Sequence, residues 1–75
     1  MKLKPVSPKK VVSVLIELGY SPVRQKGSHL ILRNDKGKLS VVPMHQKDIG
    51  VSLLREIIRE LGITREEFLA LCRKK

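Results

Sequence analysis

The sequence predicts a small α+β domain of order α-β-β-β-α(-α): a three-stranded antiparallel sheet with helices on one face. Three observations carry this. Segments with helical apolar spacing stand at both ends of the 75 residues. Three short extended runs lie between them, separated by glycine-containing steps. Apolar residues make up 41% of the chain, and a chain this short needs nearly all of them for its core. The length sets one domain over 1–75.

Ser7-Pro8 opens the first helix, with serine as N-cap and proline at the first helical position. Val11, Val12, Leu15, Ile16 and Leu18 form its apolar stripe, and Gly19 ends it. The extended runs cover about 21–26, 29–34 and 38–42. Gly27-Ser28 joins the first two as a tight turn, and Asp35-Lys36-Gly37 sits in the second turn. A second helix follows over about 52–61, with Leu53, Leu54, Ile57, Ile58 and Leu61 on one wide face. Gly62 stops it, and Thr64 with Glu67 forms a capping box for a last helix to about residue 72.

Strand alternation then assigns faces. A two-residue turn pairs Lys26 with His29, Arg24 with Ile31 and Val23 with Leu32. For the second hairpin, the apolar pattern favours an even-numbered loop, which puts Leu39 and Val41 on the side of Leu30 and Leu32. The helices are then expected over Val23, Leu30, Leu32, Leu39 and Val41. The open face is expected to carry Arg24, Lys26, His29, Arg33 and Lys38.

Charge gives the first functional indication. Sixteen Lys and Arg against seven Asp and Glu leave a formal +9. The excess is concentrated at the front: residues 1–43 hold nine basic and two acidic residues, a net of +7. Such an excess on a small domain points to a polyanionic partner, most often nucleic acid. A lipid surface fits less well, because no segment is a basic amphipathic helix with bulky aromatics. With Tyr20 and Phe68 the only aromatics, recognition would run through phosphates and shape rather than base stacking. The basic ends, "MKLKP" and "CRKK", read as solvated segments that add to RNA affinity. One cysteine, Cys72, allows no internal disulfide, and no apolar run is long enough to span a membrane. A cytoplasmic location is the expectation.

His29 stands out on the predicted cationic face. An imidazole is a base near neutral pH, and a lysine beside it can hold a phosphate. That pairing suits RNA cleavage by its own 2′-hydroxyl, with the histidine as general base and no metal or other cofactor. The plainer alternative is a polar strand residue without chemistry. His45 has two readings, an acid or phosphate ligand beside His29 or a structural, partner-binding residue. Two histidines 16 positions apart, with no cysteine or carboxylate at ligand spacing, make a poor zinc site. Ser28 lacks an acid–histidine relay and is explained by the turn.

The motifs also match a family in order. "VVSVLIELGYSPVRQKGSH" carries a first helix, the Gly19-Tyr20 step and a Gly-Ser-His signature at Gly27, Ser28 and His29. "VVPMH" carries a Val-Pro-x-His segment at Val42, Pro43 and His45, and "LLREIIRELGITREEFL" a second helix and tail. The chain resembles the HicA (YcfA-like) toxins over almost its full length. The resemblance implies a fold like that of double-stranded-RNA-binding domains. It implies a toxin of a type II toxin–antitoxin pair, a ribonuclease that cuts mRNA and arrests growth. The family's catalytic histidine falls on His29, and the implied partners are mRNA and a HicB-type antitoxin that covers this histidine. RNA contacts are expected at Arg24, Lys26, Gly27, Ser28, Arg33, Lys38 and His45. Ser52 and Leu53 replace the Gly-Thr that family members commonly carry before the Leu-Arg of the second helix, with Ser52 expected to cap it. A non-catalytic double-stranded-RNA-binding module is the alternative function.

Overall fold

Helix α1 (Pro8–Glu17) starts at a capped end: the Ser7 hydroxyl accepts a bond from the Lys10 N–H at 3.3 Å. It stops through a paired C-terminal motif. The Gly19 N–H reaches the Ile16 carbonyl and the Tyr20 N–H reaches the Leu15 carbonyl, both at 3.0 Å. Gly19 takes a φ of 97°, which lets the chain reverse into the sheet. These features belong to a computed structural model describing residues 2–74, so Met1 and Lys75 of the two basic ends lie outside the described residues.

The remaining elements follow in the expected order: β1 (Ser21–Lys26), β2 (His29–Arg33), β3 (Leu39–Pro43), α2 (Val51–Leu61) and α3 (Arg65–Lys74). The sheet is antiparallel with strand order β1-β2-β3. Its inner face contributes Leu32 and Val42 to a core built with Val11, Val14 and Leu15 of α1 and Leu54, Ile57 and Ile58 of α2. Phe68 and Cys72 of α3, with Tyr20 and Ile49, complete it. Among the described residues no helix is long and apolar enough to cross a membrane.

The two hairpins part from the sequence reading in different ways. In the first, Lys26 pairs with His29 and Arg24 with Ile31, as the two-residue turn predicts. A bulge at Val23 then shifts the register, so Leu32 faces Pro22, and Val23 is exposed rather than covered. In the second, the loop is Asp35-Lys36-Gly37, closed by Asn34 N–H to Lys38 carbonyl and Gly37 N–H to Asn34 carbonyl bonds. Gly37 supplies the positive φ of a three-residue loop. Odd length reverses the predicted faces: Arg33 pairs with Leu39 and Ile31 with Val41. Ser40 and Val42 therefore point into the core, while Leu39 and Val41 lie outside at 57% and 45% exposure.

Three smaller corrections concern the helices and the N-terminal end. Val14 joins the buried stripe of α1, and Ile16 stands out in solvent. Helix α2 begins at Val51 behind Gly50, so Ser52 lies within the first turn and is not the cap. The N-terminal segment is more than a solvated basic end. Leu3 and Val6 pack on the core, and Val6 exchanges backbone hydrogen bonds with Ile49 at 3.2 and 2.7 Å.

Candidate active site at the end of the sheet

The first hairpin turn and the exit of β3 meet at one end of the sheet. Gly27 has a φ of 62° and Ser28 has no positive φ, as a two-residue turn with glycine first requires. The Gln25 side-chain amide donates to the Gly27 carbonyl at 3.1 Å and steadies the turn. Across the ladder, His29 pairs with Pro43 at a non-hydrogen-bonded position, where the proline nitrogen faces the free edge and costs the ladder no bond. The next residue carries the pairing on: the Met44 N–H donates to the Ser28 carbonyl at 2.6 Å. This bond draws the 44–45 segment against the turn.

The result is a pair of histidines. The rings of His29 and His45 stand 6.1 Å apart, centroid to centroid, edge to face at 61°. Both residues are exposed, and among the described residues no third His, Cys, Asp or Glu joins them in a group that could hold a metal ion. Lys26 is directly opposite His29 on the same face. The structure thus collects Lys26, Gly27, Ser28, His29 and His45 at one place. The approach of His45 to His29 was one of two readings the sequence left open, since the rest of β2, the second turn, β3 and Met44 separate them in the chain.

The other expected contacts spread out. Arg24 lies one pair further along, opposite Ile31. Arg33 is four residues from His29 on β2, roughly 13 Å at strand rise. Lys38 leaves the group: with Leu39 turned outward, its ammonium instead donates to the Glu60 carbonyl near the end of α2. A cation there also complements the helix dipole, so Lys38 ties the second turn to the helical layer rather than to the open face. Among the described residues Arg24, Lys26 and Arg33 form no ion pair, so their charge stays available on the surface.

Lysine, a glycine turn and two imidazoles on an open surface can bind a phosphodiester and move protons on either side of it. No curated protein matches the chain. A family model described as the HicA toxin of bacterial toxin–antitoxin does match, over residues 8–63, from the start of α1 through the sheet to the glycine stop of α2. That span contains the turn, both histidines and all three strands, and on this match the chain belongs to the HicA toxin family.

Proposed function

We propose that this toxin is a metal-independent endoribonuclease that cleaves mRNA at the His29–His45 end of the sheet. The carrying observation is the 6.1 Å approach of the two imidazoles beside Lys26. His29 acts as general base and takes the 2′-hydroxyl proton. The 2′-oxygen attacks phosphorus, the bond to the 5′-oxygen breaks, and His45 donates a proton to that leaving oxygen. The products are a 2′,3′-cyclic phosphate and a free 5′-hydroxyl, so atoms and charge balance without water or metal. Lys26 and the turn at Gly27-Ser28 hold the phosphate, while Arg24 and Arg33 track the backbone. A HicB-type antitoxin is the neutralising partner.

Purified protein and RNA in EDTA give the test. His29→Ala should lower cleavage by at least about 100-fold, the scale of one proton-transfer group. His45→Ala should do the same on ordinary RNA. It should recover most of the rate on an oligonucleotide whose leaving 5′-oxygen is replaced by sulfur, because a thiolate departs without a proton. Wild-type cleavage by His29→Ala would remove the base assignment. No cleavage by the wild type, with RNA still bound, would leave a plain RNA-binding module.

A further inference from the structure

Strand β3 has β2 on one side and no strand on the other. At its two ends the Lys38 carbonyl and the Met44 N–H bond to β2 residues or their neighbours, at Asn34 and Ser28. By alternation the backbone groups of Ser40 and Val42 also face β2, and those of Leu39, Val41 and Pro43 face outward. Soluble proteins guard such an edge with charges, bulges or proline. Here "LSVVP" holds no charged residue, pairs with β2 without a bulge, and places its proline last. The adjoining Lys38 is drawn away to the Glu60 carbonyl. Leu39 and Val41 add exposed aliphatic side chains along the same edge.

We infer that this edge pairs antiparallel with the same edge of a second copy of this chain, joining two sheets across a two-fold axis. Pro43 selects the register. With Ser40 opposite Ser40 of the second copy, the Leu39 N–H meets the Val41 carbonyl of that copy, and the Val41 N–H meets its Leu39 carbonyl. The axis repeats both bonds in the other direction. Every outward donor and acceptor of Leu39 and Val41 is then used. Pro43 faces Gly37 of the second copy, whose N–H is already bonded to the Asn34 carbonyl. Centring on Val41 instead would set each Leu39 carbonyl against a proline nitrogen with no hydrogen to give. In the favoured register Leu39 of each copy lies beside Val41 of the other, so the exposed aliphatics cover one another. The second copy is thus matched in donors, acceptors and side chains at once. Charge agrees, because the pairing brings the turn with Asp35 to the end of β3 from which His45 and Lys47 follow. So short a seam buries less than a standard complex, which sets a weak Kd, on the order of 0.1 mM. The inference stands apart from the nuclease reading.

The test is sedimentation of the protein alone, in about 0.15 M salt so that the net charge is screened. Between about 10 µM and about 1 mM the mass should climb toward that of a dimer and no further. Leu39→Lys puts a charge on the edge and should stay monomeric throughout, with folding checked by circular dichroism. Val23→Lys alters an exposed aliphatic on β1 and should dimerise as the wild type does. Amide hydrogen exchange on the wild type reads the seam directly. The Leu39 and Val41 N–H groups should exchange about threefold more slowly at about 1 mM than at about 50 µM, as the expected Kd requires. The inference falls if the wild type is monomeric at the highest concentration, or if folded Leu39→Lys still dimerises. It falls too if Val23→Lys is monomeric, because the opposite edge then holds the pair. Equal exchange of the two amides at both concentrations would overturn it without any variant.

Discussion

A β-carbon at residue 27 would meet nothing within 4 Å, yet the φ of 62° there is one that L side chains rarely adopt. The glycine is therefore needed for the backbone and not for room, and the turn it permits fixes Lys26 opposite His29. Cys72 shows the opposite situation, a side chain defined by its surroundings. Burial against the core raises its thiol pKa, and the charge of Lys10 lowers it in part. A raised pKa means less thiolate at neutral pH, and the thiolate is the reactive form. Iodoacetamide at pH 7 should therefore label Cys72 much more slowly in the native protein than in denaturant. The sign for stability follows too. Above the ordinary thiol range the unfolded chain ionises while the native thiol resists, so this residue's contribution to stability declines as pH rises. Equal labelling rates in both states would contradict the burial argument.

Helix α3 illustrates an element whose start is local chemistry. The Thr64 N–H donates to the Glu67 carboxylate at 2.8 Å, and the Glu67 N–H donates to the Thr64 hydroxyl at 3.0 Å. Thr64→Ala should cost about 0.5–2 kcal/mol of stability, measured by urea denaturation. It should leave RNA cleavage unchanged, because the cap lies outside the histidine pair. Signals of this kind were legible: Ser7, Gly19, Gly62 and the Thr64–Glu67 box each act over three or four residues and were read correctly. The faces of β3 were not. "LSVVP" offers aliphatics on both parities, so apolar pattern alone cannot choose between Leu39 with Val41 and Ser40 with Val42. The loop decides, through Gly37 and through the Asn34 side chain, which accepts from the N–H groups of Lys36 and Lys38. An Asx-type bond followed by glycine was the sequence signal for an odd loop.

At the scale of the molecule, fold order could be read from sequence because each helix and strand carries its own periodicity. The site could be read in part. Lys26, His29 and their turn follow from one short hairpin, whereas His45 arrives through the long-range Met44–Ser28 bond. The outward turn of Leu39 and Val41 depended on the register that sequence reading reversed. One further feature, the bulge at Val23, bears on how the molecule behaves in a crowd. The sheet has two outer strands, β1 and β3. Each outer strand is a reactive end in the sense of a polymer chemist, able to recruit another copy's strand. On β3 Pro43 withholds a donor only at the last position, whereas on β1 Pro22 withholds one and the Val23 bulge breaks the repeat, so β1 is capped. A monomer with one reactive end can terminate a chain but cannot extend it. Deleting Val23 together with Pro22→Val would restore the second reactive end. That variant should form thioflavin-positive filaments where the wild type gives no light scattering; if it stays as clear as the wild type, β1 was not the cap on growth.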